Sequence, residues 1–95
     1  MSEVKLLEKA IVVHPNDNVA VAKSSIGLGS ILDFNGNRLL VPQTIQPGHK
    51  IALQGITKGY PVIRYGEVIG LATTHIVKGS TVHHHNMLPM NQIHQ

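Results

Sequence analysis

The chain has 95 residues, of which 42% are hydrophobic and 3% aromatic, and a net charge of +3. This length predicts one small domain in which burial leaves little surplus stability. Because aromatic residues are so few, the core must be built from Val, Ile, Leu and Ala, which favours strands. Lysines and arginines are spread thinly, with no basic block and no interleaved aromatics, which argues against a nucleic-acid-binding surface.

Cysteine is absent, which removes disulfides and thiolate metal sites and fits a cytoplasmic location. The N-terminal residues lead into no long apolar run. We therefore expect neither a signal peptide nor a membrane span, and no membrane partner. The small excess of positive charge suits an anionic small substrate.

Strand signals begin near the N-terminus. Residues 9–14 are apolar and rich in β-branched side chains, and they end before Pro15, so they predict a first strand. Asp17-Asn18 is typical of a turn or a helix cap. Residues 19–22 then predict another strand, with a short helix as the alternative. Asn35-Gly36 lies between two hydrophobic runs, which is the strongest short-range signal for a β-hairpin.

A second hairpin is predicted further along the chain. Tyr65-Gly66-Glu67 separates two apolar runs, residues 61–64 and 68–73, and forms a short hairpin connection. Gly70 interrupts the second run, which predicts a β-bulge or a close approach of another backbone segment. We expect helix only in short turns.

A weak repeat spaces an apolar residue, a glycine and an aliphatic residue three positions apart. The copies begin at Ile26, Ile45, Ile56 and Ile76. In each copy we expect a buried first residue, a glycine with positive φ, and a final aliphatic residue that starts or rejoins a strand. Residues 1–86 are predicted to form the domain, and residues 87–95 a C-terminal tail or partner-binding extension.

The histidines are the main candidates for chemistry. Three of them stand together at positions 83–85, and if this segment is extended, His83 and His85 share one face while His84 points the opposite way. His14 and His49 lie in separate turn-like segments. The working hypothesis is that the fold brings these three segments together.

Several short motifs, in one order, resemble a known family. The segments are His14 to Ala22, Gly48 to Leu53, Val62 to Gly66, Ile69-Gly70, and Val82 to Asn86. Together they are similar to the small SAF-type domain of altronate and galactarate dehydratases, and more so to the altronate type. The resemblance implies an all-β fold of the β-clip type, with short strands and glycine-containing turns.

In that family the domain stands at the N-terminus of a larger enzyme or forms a separate small subunit. The resemblance therefore implies a small subunit of a hydro-lyase that dehydrates a sugar acid, forming a lid or wall of a site shared with a large dehydratase subunit. Such a chain would be nearly inactive alone. The alternatives are a small subunit of an enzyme like sulfolactate sulfo-lyase, a non-catalytic module that binds a sugar acid or a protein, and a purely structural domain.

Dehydration of a sugar acid needs a base, a group that holds the carboxylate, and an acid or metal that helps hydroxide leave. Imidazoles titrate near neutral pH, and a guanidinium can hold a carboxylate with two hydrogen bonds. By resemblance the cofactor is a divalent metal, iron or manganese. The predicted catalytic residues are His14, His49 and Lys50; the predicted substrate-binding residues are Lys50, Arg64 and Asn18; the predicted metal ligands are His83, His85 and Asp17. For Asp17, turn stabilisation is the open alternative.

Overall fold

The computed structural model describes residues 5–6 and 9–93, with side chains from residue 9 onward. It confirms the all-β prediction, because the only helical segment in this part of the chain is the 3₁₀ turn Met90–Gln92. The strands are β1 (Lys5–Leu6), β2 (Ala10–Val12), β3 (Val19–Ala22), β4 (Ile31–Phe34), β5 (Asn37–Leu40), β6 (Lys50–Ala52), β7 (Pro61–Arg64), β8 (Glu67–Ala72), β9 (Thr81–Val82) and β10 (Met87–Pro89).

The strands form three antiparallel sheets. The largest has five strands in the order β1-β2-β3-β6-β9, and the others are β10-β8-β7 and the hairpin β4-β5. Strand β3 pairs with β6 in the middle of the largest sheet. This pairing joins the two halves of the chain, and it explains why residues 19–22 are a strand and not a helix.

The copies of the predicted repeat have the same structure. Ile26 pairs with Ile45 through an isolated bridge, Ile56 pairs with Ile76 in the same way, and all four isoleucines are fully buried. The glycine of every copy has a φ between 84° and 90°. Equivalent hydrogen bonds recur, since Gly29 N donates to Val41 O in the first half and Gly59 N to Ala72 O in the second, both at 2.8 Å. The chain is therefore two similar halves.

Each half has its own buried cluster. The first is formed by Ala10, Val12, Ala20, Ala22, Ile26, Leu32, Leu39, Val41, Ile45, Ile51 and Leu53. The second is formed by Val19, Ala52, Ile56, Val62, Ala72, Ile76, Val82 and Met87. Alternate residues of β3 face opposite clusters, as the pleat of a strand requires, so this strand ties the two cores together.

Both predicted hairpins are present. Asn35-Gly36 has φ values of 50° and 81°, and Tyr65-Gly66 has 57° and 76°. Two successive residues with positive φ make the two-residue turn that matches the twist of a hairpin. Glu67 belongs to β8, so the second turn is shorter by one residue than the sequence predicted.

Gly70 fulfils both alternatives drawn from the sequence. The register shifts between Val62 and Ile63 on the partner strand, which is a bulge. A Cβ at Gly70 would also lie 2.5 Å from Leu88 O, because β10 packs directly against this position. Residues 87–89, which the sequence assigned to the tail, thus form a strand of the sheet, and Met87 is buried. His94 and Gln95 lie outside the described residues.

Candidate functional site

Strands β6 and β9 bring two of the predicted histidines together. Lys50 pairs with Val82, and in an antiparallel ladder this places the preceding residue, His49, opposite the following one, His83. Their rings stack at 4.7 Å between centroids, with 13° between planes. Of the predicted meeting of His83 and His85 with His14 or His49, the structure shows the contact between His83 and His49.

The predicted alternation of the triple histidine is wrong. Strand β9 ends at Val82, and residues 83–86 form a turn. Asn86 closes this turn, since its Oδ1 accepts from His83 N at 2.8 Å and its Nδ2 donates to Thr81 O at 2.9 Å. Because the segment is not extended, the strand period does not apply, and the His84 ring lies only 4.5 Å from the His83 ring.

Positive charge accumulates around this histidine pair. Burial, and then the nearby charge of Arg64, holds the pKa of Lys50 below its usual value. Partial burial also lowers the pKa of His83, and the neighbouring charges add to this effect, in the order His84, His49, Lys50 and His85. We call His49, Lys50, Arg64, His83 and His84 the basic cluster. An anion bound among these groups would offset their mutual repulsion.

Arg64 reaches the basic cluster from the end of β7. Its guanidinium carbon lies 4.6 Å above the centroid of the Tyr65 ring, an arrangement that orients the planar group by a cation–π contact. Its Nε is buried and has no hydrogen-bond partner among the described residues. The described residues therefore leave this N–H donor unsatisfied, and such a group calls for an explanation in a folded domain.

The other predicted site segment has a different role. His14 N donates to Asp17 Oδ2 at 3.1 Å, and Gly66 N donates to Asp17 Oδ1 at 2.8 Å. Asn16 N donates to His14 Nδ1 at 3.0 Å, so neutral His14 carries its proton on Nε2. We call residues 14–18 the clamp segment, because they bind the hairpin formed by β7 and β8.

Asn18 is part of this clamp segment. Its Nδ2 donates to Pro61 O at 2.9 Å, and its Oδ1 accepts from Ile63 N at 2.8 Å. Both functional groups of the side chain are therefore engaged with β7. The role found for Asn18 is to position this strand, whereas the sequence predicted that it binds substrate.

The predicted metal ligands do not form a metal site within the described residues. No group of three His, Asp or Glu side chains between residues 9 and 93 is spaced to hold an ion. Asp17 uses both carboxylate oxygens to accept backbone hydrogen bonds, and zinc or iron normally takes at least three protein ligands. His83 and His85 could contribute to a metal only with ligands from elsewhere.

A shallow cavity of about 300 Å³ lies apart from the basic cluster. Of the predicted site residues it is lined only by Asn18, together with Gln54, Gly55, Ile56, Thr57, Tyr60, Pro61 and Ile63. It contains no histidine, lysine or arginine. The cavity is therefore not where the titratable groups converge, and the basic cluster is the better candidate for chemistry.

Comparison with known proteins identifies the family. The family described as the altronate/galactarate dehydratase SAF domain matches residues 8–89. The chain belongs to this family. The β-clip prediction is thereby confirmed, and the SAF domain accounts for all strands from β2 to β10.

Similar proteins carry this SAF domain within much longer chains. An altronate dehydratase of Escherichia coli K12 is 41% identical over 76 residues, covering 80% of this chain and 15% of that protein. An altronate dehydratase of Bacillus subtilis 168 is 38% identical over 80 residues, covering 84% and 16%. A galactarate dehydratase (L-threo-forming) of Escherichia coli K12 is 42% identical over 72 residues, covering 76% and 14%. The chain thus spans about a sixth of these relatives.

Sequence reasoning missed the contacts of Tyr65 and His84. Tyr65 was treated only as part of a turn, yet its ring lies below the Arg64 guanidinium. An aromatic residue before Gly, at a position where Asn is preferred, was the available signal. For His84 the signal was Asn86, because an asparagine three residues after His83 favours a closed turn.

Proposed function

We propose that this SAF domain takes part in the dehydration of a sugar acid of the altronate or galactarate type. It acts as a small subunit and forms a lid or wall of a site shared with a large dehydratase subunit. The observation that carries the proposal is the basic cluster, in which β6, β7 and the turn after β9 direct imidazole, ammonium and guanidinium groups to one place. Membership of the dehydratase SAF family supports the choice of reaction.

The basic cluster offers groups suited to the carboxylate end of the substrate. Arg64 holds the carboxylate through two N–H donors, and Lys50 adds a second positive charge. This charge also stabilises the negative charge that develops when the proton on the adjacent carbon is removed. Because the pKa of Lys50 is lowered, its ammonium group also releases a proton more readily than that of an ordinary lysine, as a proton-transferring group requires.

His49 is the proposed base. It is half-buried and lies against His83, and a neutral imidazole can take the proton from the carbon next to the carboxylate. The hydroxyl group on the following carbon then leaves as water, with its proton supplied by an acid. The carboxylate is unchanged in both steps and stays bound to Arg64.

We place the divalent metal of the complete enzyme mainly on the large subunit. His83 and His85 lie at the edge of the domain and are the groups of this chain available to it. The residues described here supply no complete ligand set by themselves, so no step of the proposed chemistry of this domain is assigned to the metal.

Arg64→Ala tests the proposal in a mixture of this chain with the large dehydratase subunit. We expect KM for altronate or galactarate to rise by roughly ten- to a hundredfold, since hydrogen bonds to charged groups contribute about 1.5–3 kcal/mol. Arg38→Ala is the matched control, because Arg38 is exposed on the equivalent hairpin of the first half. Equal kinetics for both variants would contradict the role of Arg64.

The product of the same assay decides between the proposal and its alternatives. Formation of a keto acid from altronate or galactarate supports the dehydratase. Release of sulfite from sulfolactate would instead identify a sulfo-lyase subunit. Binding of a sugar acid by the mixture without any turnover would identify a non-catalytic module.

A further inference from the structure

The two halves of the molecule contain the same turn built from different residues. Asn35-Gly36 joins β4 to β5, and Tyr65-Gly66 occupies the equivalent place between β7 and β8. All four residues have positive φ. The same backbone conformation is therefore required of asparagine in one half and of tyrosine in the other.

Asparagine adopts this conformation without help from the rest of the structure, and tyrosine does not. Asn adopts positive φ more readily than other residues with a side chain, and Asn-Gly is the preferred pair for this turn. Tyr lacks such a preference and is strained at a φ of 57°. Such strain persists only where the surrounding structure enforces the conformation.

The clamp segment provides this enforcement in the second half only. Asp17 Oδ1 accepts from Gly66 N, and a Cβ at Gly66 would lie 2.9 Å from Cδ2 of His14, so the His14 ring packs on the glycine. At Gly36 a Cβ would meet nothing within 4 Å. The strained turn is clamped, and the relaxed turn is free.

The clamped turn determines the position of Arg64. The guanidinium lies over the Tyr65 ring, and the direction of this ring depends on the backbone conformation of Tyr65. Arg64 precedes the turn directly, and its buried Nε has no partner in the described part of the chain. Within the described residues, the contact with the Tyr65 ring is what orients the guanidinium.

We propose that Asp17 and His14 are positioning residues, which hold the Tyr65-Gly66 turn and through it the guanidinium of Arg64. Neither contacts the substrate or ligates a metal. The value of this arrangement rests on the proposed function, in which Arg64 holds a carboxylate. A planar guanidinium fixed in advance binds a carboxylate with less loss of conformational entropy than a mobile one.

The first test uses NMR on the purified full chain and requires no substrate. In the wild type we expect the Nε–Hε signal of Arg64, assigned with Arg64→Lys, to be distinct and slow to exchange with water. Asp17→Ala should speed this exchange by about tenfold or more, the size of coupling between contacting residues. Asp17→Asn keeps an Oδ1 for Gly66 N but places an NH₂ donor against His14 N, so its exchange rate should lie between those of the wild type and Asp17→Ala. Asp33→Ala, an exposed acid on the equivalent hairpin, is the control.

The second test separates clamping of the turn from general stabilisation. Tyr65→Asn installs the residue that adopts this conformation unaided. The factor by which Asp17→Ala raises the unfolding equilibrium constant should therefore be about tenfold smaller in that background. If Asp17→Ala alone does not fold, the double variant should. Equal losses in both backgrounds, a double variant that stays unfolded, or unchanged Arg64 exchange would each overturn the proposal.

A kinetic measurement connects the clamp to the sugar acid. In the mixture with the large subunit, Asp17→Ala should raise KM for galactarate by about the same factor as it speeds Arg64 exchange, with a smaller effect on kcat. If the mixture shows no turnover at all, the proposed function fails. The NMR and stability measurements still decide whether Asp17 and His14 position Arg64.

Discussion

His83 illustrates how a neighbourhood of like charges changes a single residue. Its pKa is lowered because the ring is partly buried and lies among other basic groups. The folded protein therefore holds the proton of His83 less tightly than the unfolded chain does, and stability must depend on pH in the range where the two states differ.

The free energy of unfolding should fall as the pH is lowered through 6.5, the ordinary pKa of this side chain, toward the lowered pKa of the folded state. In that window the unfolded chain binds more protons than the folded one. Urea unfolding at a series of pH values measures this slope. His83→Gln should flatten it and His75→Gln should not, because His75 lies against Gly55 in another part of the molecule. An unchanged slope in His83→Gln would contradict this explanation.

Gly66 allows another residue-scale prediction. Gly66→Ala should destabilise the fold by about 2–4 kcal/mol, because it combines the cost of positive φ with a clash against the His14 ring. The matched variant Gly36→Ala has the same φ cost in open space and should lose about 1–2 kcal/mol. Urea unfolding compares the two. Equal losses would mean that the His14 ring does not restrict this position.

Strand β10 shows what an added element does to one of two similar halves. It pairs with β8. The strand of the first half that is equivalent to β8 is β5, and in the described part of the chain β5 pairs with β4 alone. Gly70 allows β10 to pair with β8. The equivalent position in the first half is the buried Leu39, which has a side chain. Met87 fills the space that a side chain at position 70 would occupy.

Gly70→Ala should therefore displace β10. The new Cβ would lie 2.5 Å from Leu88 O and 2.9 Å from Met87 Cγ, and overpacking of this kind costs about 1–3 kcal/mol. Amide hydrogen exchange at Leu88 should accelerate well beyond the change at Ile51 in the central sheet. As a control, Gly55→Ala would meet the side chain of His75 at 3.4 Å and Ile76 O at 3.9 Å, without a clash. Unchanged protection at Leu88 would contradict the close packing.

Local patterns predicted the elements better than they predicted the site. Asn35-Gly36 and the four glycine repeats act through backbone preferences within a few residues, so the sequence contains their full cause. The turn at His83 depends on Asn86 competing with strand formation, and period-two reasoning ignored this competition. The clamp by Asp17 joins positions far apart in the chain, and no local pattern reveals such a contact.

At the scale of the whole molecule, the described residues present the basic cluster on a surface and not inside an enclosed site. Its extents are 39 × 33 × 21 Å, and His84 and His85 in the turn after β9 are exposed. Dehydration chemistry benefits from a site that excludes water, so under the proposed function the basic cluster would form one wall of a site completed by another subunit. No helix in the described ranges is long and apolar enough to span a membrane.

The central claim is that this SAF domain completes a sugar-acid dehydratase together with a large subunit. The direct measurement is keto-acid formation from altronate and galactarate by the chain alone, by a candidate large dehydratase subunit alone, and by their mixture. We predict that the chain alone is inactive and that the mixture exceeds the large subunit alone by about a hundredfold or more, the scale of acid–base and positioning contributions. Robust turnover by the chain alone, or a large subunit that is equally active without it, would contradict the claim.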